Sequence, residues 1–175
     1  MARLCSDLVR YPTENPPPSA TNITRFIKEW LKEAGVRARI YCKEKGKENL
    51  VSNLSRSAGA DGLVLYGHSD VVPAGDRKRW TFPPYSGRLT QGKIHGRGAS
   101  DMKGGLAAIL VAYRTVAQVD CELKRNLLLT VIPDEENFDP STKMLYKMID
   151  DKIIRAKDPT DFAKAYFKTA VEYCT

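Results

Sequence analysis

Two strand-like runs, Leu63-Val64-Leu65-Tyr66 and Asn126–Ile132, bracket one long apolar helical pattern and limit the folds open to this chain. An uninterrupted apolar run suits a strand covered on both faces, as in parallel sheets. Between the runs, Lys103 to about Gln118 carries small and apolar residues nearly all round, the pattern of a helix packed into a core. Strands alternating with helices predict an α/β domain with a largely parallel sheet.

The flanking segments agree. Asn15-Pro16-Pro17-Pro18-Ser19 reads as a rigid, extended loop. Ile23, Phe26, Ile27, Trp30, Leu31 and Ala34 fall on one helical face, with Thr21 or Asn22 as the cap and Gly35 as the stop. Val36–Cys42 alternates as a half-buried strand, Lys43 to Glu48 is a charged turn, and Asn49–Leu54 is a second short strand. Arg88-Leu89-Thr90 and Lys93-Ile94-His95 flank Gln91-Gly92 as a hairpin. After Pro133, two further helices are expected, one through Met144 to Ile153 and one through Phe162 to Val171.

A chain of 175 residues can build one ordinary domain without staples. No stretch approaches the roughly 18 apolar residues of a membrane span, and the N-terminus reaches Asp7 too soon for a secretory signal. The four cysteines lie far apart, with no C-x-x-C pair, and read as reduced thiols of a cytoplasmic protein. The net charge of +7 is spread over the first two thirds, with short clusters at Lys43–Lys47 and Arg77–Arg79. No basic stripe is interleaved with aromatics, so anions are expected as partners and nucleic acid is not.

Chemistry concentrates in three clusters: Gly67-His68-Ser69-Asp70; Gly96-Arg97-Gly98-Ala99-Ser100-Asp101-Met102-Lys103-Gly104-Gly105; and Asp134-Glu135-Glu136. The first and third follow the two apolar strands, and open α/β sheets carry ligand sites beyond the carboxyl ends of their strands. Imidazole and carboxylates suit zinc, cobalt or manganese. Asp70, two residues from His68, could fix its tautomer. Of two adjacent glutamates, one can bind metal while the other takes a proton from water.

In this order, G-H-S-D-V-V-P, W-T-F-P-P-Y, G-K-I-H-G-R-G-A-S-D-M-K-G-G and P-D-E-E resemble the zinc metallopeptidase and deacylase family of acetylornithine deacetylase, succinyl-diaminopimelate desuccinylase, aminoacylase and glutamate carboxypeptidase. The resemblance runs from about Leu4 to Glu136. It implies a zinc-peptidase-like, mostly parallel sheet flanked by helices, and a two-metal hydrolase of amide bonds in peptides or N-acyl amino acids. It further implies that His68 binds one metal, Asp101 bridges the pair and Glu136 binds the other. Glu135 would activate the bridging water, Asp70 would orient His68, and the Asp101-Met102 peptide bond would be cis. Arg97 and Lys103 read as surface or loop packing outside the site, and His95 as a rim residue.

The resemblance stops at Glu136. No histidine follows His95 to serve as the family's late ligand, and there is no room for its inserted dimerisation (lid) domain. The chain is therefore expected to divide into 1–136, the N-terminal part of a metallohydrolase catalytic domain, and 137–175, a divergent helical tail. The incomplete sheet would leave an edge open to self-association or to a complementing chain. Activity is expected to be impaired, and a non-catalytic binding module is the other reading.

Overall fold

A computed structural model describes residues 1–17, 19–42, 44–54, 62–119, 123 and 125–137. The expected helices through Met144–Ile153 and Phe162–Val171 lie outside these residues, as do Cys121 and Cys174.

The chain opens on helix α1 (Ala2–Val9), followed by helix α2 (Thr21–Lys32). Strands β1 (Ala38–Tyr41), β2 (Asn49–Leu54) and β3 (Gly62–His68) come next. A hairpin of β4 (Arg88–Thr90) and β5 (Lys93–His95) leads through a tight turn, Ala99–Gly104, into helix α3 (Gly105–Gln118) and strand β6 (Asn126–Ile132).

The main sheet has the order β1-β2-β6-β3. Helices flank it as expected, and among the described strands the pairing is mixed: β1–β2 and β2–β6 are antiparallel and β3–β6 is parallel. The parallel pair is the product of the β3–α3–β6 crossover. The other two strands come from the short β1–β2 turn, and short connections favour antiparallel neighbours. The strand buried along its whole length is β6. By contrast, β3 is one of the two edge strands among those described, and Leu63 at its start is 61% exposed.

Side chains of β6 and β2 meet α1, α2 and α3 in one core that includes Leu8, Ile23, Ile27, Leu31, Leu110 and Leu129. Each such side chain, fully buried, contributes about 1.5–3 kcal/mol. Only one face of α3 is buried, through Leu106, Ala107, Leu110 and Tyr113; Ala108 and Ala112 on its other face are exposed. The all-round apolar pattern thus overstated the helix's burial, because alanine is tolerated on either face. Tyr113 is fully buried, and its hydroxyl donates to Ser52 Oγ at 2.9 Å.

Helix α2 begins without a side-chain cap: Ala20 is the N-cap, and Thr21 Oγ1 donates instead to Glu48 Oε1 at 2.7 Å. Its end follows the expectation. Gly35 has φ +76°, its N–H donates to Lys32 C=O, and the Val36 N–H reaches back to Leu31 C=O. These two bonds form a Schellman stop. In the β4–β5 hairpin both Gln91 and Gly92 have positive φ, as a two-residue type I′ turn requires.

Candidate metal centre

Parallel pairing sets His68 opposite Ile132, the last residues of β3 and β6. The loops after both strands therefore leave the sheet at one edge, as the sequence predicts. The Ser69 N–H donates to Ile132 C=O at 2.8 Å and continues the pairing one residue further.

His68 is 3% exposed and is held from both sides. Nδ1 lies 3.1 Å from the Asp70 carbonyl and 3.4 Å from Asp70 Oδ1. Nε2 lies 3.1 Å from Asp101 Oδ1 and 3.7 Å from Glu135 Oε2. Burial disfavours the imidazolium, but Asp70, Glu135 and Asp101 outweigh it and raise the His68 pKa to about 9.

Asp70 is the hub. Its Oδ1 accepts the Glu135 N–H at 3.1 Å, and its Oδ2 accepts the Glu136 N–H and the Asn15 amide, each at 3.0 Å. Burial pushes this carboxyl up, but the bonds from His68, Asn15 and the Glu136 N–H win and hold it below the ordinary value. The turn at Asp134–Glu136 is thereby docked onto the loop after β3.

Asp101 sits where Ala99–Gly104 leaves helical geometry, and its peptide bond to Met102 is cis, as expected. Gly98 opens this turn with φ +79°, and a Cβ there would lie 2.3 Å from Val71 Cγ1. The turn swings the Asp101 side chain outward, 77% exposed, to meet His68. Behind it, Met102 Sδ accepts the His68 backbone N–H at 3.3 Å.

Ligand atoms of His68, Glu135 and Glu136 all lie within 4.8 Å of one another. Asp101 touches His68 but is not part of that trio. Burial raises the Glu136 pKa, and Asp101, Glu135 and Asp70 add to it; only His68 opposes. One imidazole among carboxylates that repel each other is a donor set suited to a divalent cation.

Lys103 corrects the sequence reading. It is fully buried, not a surface residue, and its Nζ donates to the Tyr11 carbonyl at 2.7 Å. Burial lowers its pKa to about 7, against the pull of Asp70 and Cys5. Arg97 stacks over Trp80, with its Cζ 5.2 Å from the ring centroid, and His95 meets Phe82 edge-on at 4.9 Å. Two more residues escaped the motif reading, the buried Asn15 and Lys47, whose Nζ pairs with Asp134 Oδ2 at 3.2 Å; Asp134, part of the third cluster but given no role there, is buried between them. The place of Asp134 directly after an apolar strand is its signal in the sequence; Asn15 and Lys47 have no local one.

The profile of Peptidase family M20/M25/M40 matches residues 64–171, which spans both strands of the parallel pair and all three clusters. The chain belongs to this family. The match continues past Glu136, where the quoted motifs stop. Among curated M20-type relatives, a "probable succinyl-diaminopimelate desuccinylase" of Staphylococcus epidermidis is 34% identical over 134 residues, covering 77% of this chain and 32% of the relative. An N-formyl-4-amino-5-aminomethyl-2-methylpyrimidine deformylase of Halalkalibacterium halodurans is 33% identical over 143 residues, covering 80% and 34%. The M20 metallo-carboxypeptidase Sso-CP2 of Sulfolobus solfataricus superposes with a TM-score of 0.72 at 25% identity, covering 84% of this chain and 34% of that one. The chain thus spans about a third of the length of its curated relatives. Membership implies a divalent metal, and the donor set described above fits one. Among the described residues, no helix is long and apolar enough to cross a membrane.

Proposed function

We propose that this chain carries the metal-binding portion of a zinc-dependent hydrolase that cleaves amide bonds in N-acyl amino acids or small peptides, with cobalt or manganese as substitutes. The observation that carries this reading is the convergence of His68, Glu135 and Glu136 at the end of a parallel strand pair. The names of the relatives support the substrate class: a desuccinylase and a deformylase each remove an N-acyl group, and a carboxypeptidase cleaves peptides.

On this reading His68 and Glu136 would each hold a metal ion, and Asp101 would serve as a ligand shared by the two. A bound divalent cation polarises the scissile carbonyl and makes water more acidic. Glu135 is the general base: its carboxylate takes the proton of the attacking water and passes it to the leaving nitrogen. Asp70 accepts from His68 Nδ1, which leaves Nε2 as the donor atom.

Every donor in this reading lies at or before Glu136, so 1–136 is taken as the site-bearing part and 137–175 as a tail without a role in it. Of the two histidines in the sequence, His68 is the one at the cluster, and His95 packs on Phe82. A complementing chain or a second copy fits the outer edge of β3, which no described strand covers. The free thiols of Cys5 and Cys42 support a cytoplasmic setting.

The test is zinc reconstitution, dialysis and metal analysis, followed by an assay on N-succinyl, N-formyl and dipeptide substrates. Retained zinc with slow hydrolysis of one class supports the reading. A chain that emerges metal-free and inert overturns it, and favours a binding module.

A further inference from the structure

Asn15 is 1% exposed and lies in a segment whose sequence reads only as a proline-rich loop. Its place is fixed by the backbone. The Asn15 N–H donates to Val71 C=O at 2.9 Å, and the Val71 N–H donates to Thr13 C=O at 2.9 Å. The Thr13 hydroxyl donates to Ser69 C=O at 2.6 Å. Residues 13–15 therefore lie along 69–71, with Glu14 bridging Val71 in parallel.

From that position the Asn15 Nδ2 donates to two buried carboxylates, Asp70 Oδ2 at 3.0 Å and Asp134 Oδ1. Both acceptors are carboxylate oxygens, so the NH2 end of the amide must face them. Asn15 Oδ1 has no hydrogen-bond partner among the described residues, and the polar contribution of the side chain is this pair of donors. Asp70 and Asp134 are each 2% exposed or less, and buried carboxyl groups side by side need hydrogen-bond donors from the protein. A neutral group with two hydrogens meets both carboxyl groups, one hydrogen to each. Lys47 balances the outer oxygen of Asp134 at 3.2 Å.

We infer that Asn15 is a positioning residue of the metal centre: its amide clamps Asp70 to Asp134 and so sets both His68 and the Glu135–Glu136 turn. The inference rests on the reading of the cluster as a metal site. Asn15 touches no donor atom of the trio; it acts through Asp70, whose carboxylate carries the backbone N–H groups of Glu135 and Glu136.

The experiment is a Co2+ titration of the purified chain, read by the visible d–d absorption, beside thermal unfolding of the metal-free protein. The proteins are the wild type, Asn15→Leu, Asn15→Asp and Thr13→Val. Thr13→Val removes a hydrogen bond from the same segment but touches neither carboxylate. The Asn15 variants should bind Co2+ roughly tenfold or more weaker than wild type, with an altered spectrum. Thr13→Val should lower the unfolding temperature and leave affinity and spectrum unchanged. Equal affinity in wild type and Asn15→Asp overturns the inference, and so does failure of both Asn15 variants to fold, which assigns Asn15 to the scaffold. Should only Asn15→Leu fail to fold, the isosteric Asn15→Asp decides. A wild type that binds no Co2+ overturns the metal-site reading itself.

Discussion

The carboxylate of Asp70 accepts the backbone N–H of Glu136 at 3.0 Å, across 66 positions of sequence. A side chain two residues after one strand thus fixes the main chain four residues after another. Histidine and glutamates are held in common because one anion holds both loops.

Asp70→Asn tests that hub. An amide keeps the size but has one acceptor oxygen, so it cannot take the His68 contact and both backbone N–H groups. Zinc or cobalt affinity should fall about 10–100-fold, measured by competition with a chelating dye. Unchanged affinity would mean that the loops hold themselves.

Glu135→Gln separates binding from chemistry. Zinc content should be unchanged, because the reading gives Glu135 no metal to hold. Any N-acyl hydrolysis measured for the wild type should fall roughly 10²–10⁴-fold. Hydrolysis at the wild-type rate would remove Glu135 from its role.

Gly98→Ala tests the turn that presents Asp101. The residue has φ +79°, and its new Cβ would meet Val71 Cγ1 at 2.3 Å, next to Asp70. Left-handed strain and the clash together should cost roughly 2–4 kcal/mol, read by chemical denaturation. A near-neutral result would show that Val71 moves freely, and with it the loop after β3.

Glu14 supplies a pH dependence away from the metal centre. Its carboxylate accepts from the Tyr85 hydroxyl and the Ala74 N–H, and these bonds hold it below its ordinary value of 4.5. A folded-state pKa below the unfolded one contributes stability that is present above about pH 4.5 and is lost as the pH falls through the folded value. The stability difference between wild type and Glu14→Gln should therefore be largest at neutral pH and shrink below about pH 4.5. A difference constant down to pH 3 would show that the carboxylate charge plays no part.

Much of this was legible in the sequence, for physical reasons particular to each element. The Asn49–Leu54 and Asn126–Ile132 strands have the predicted bounds because their apolar residues are bordered by charged or polar turns. The β4–β5 hairpin has its predicted bounds because Gln91-Gly92 permits the positive φ that a two-residue turn needs. His68 and the Glu135–Glu136 pair were traceable because strand ends in open α/β sheets point to one edge. Helix α1 escaped notice: eight residues with a charge near each end give too short a pattern to register. The mixed pairing of the described strands escaped too, since an apolar run shows burial but not strand direction. Lys103 and Asn15 are polar residues whose burial depends on partners 92 and 55 positions away, Tyr11 and Asp70, and no local pattern encodes such distances.

The pairing of His68 with Ile132 divides the chain by how it tolerates changes of length. A single residue deleted from Gly62–His68 or Asn126–Ile132 would shift one strand by about 3.3 Å and turn its last side chain to the opposite face of the sheet. His68 would then leave the glutamates although every site residue were still encoded. Residues added between the strands leave that alignment untouched. Insertions and deletions among natural variants should therefore spare these two strands and gather in the loops between them that lie away from Asp70 and the Gly98–Gly105 turn.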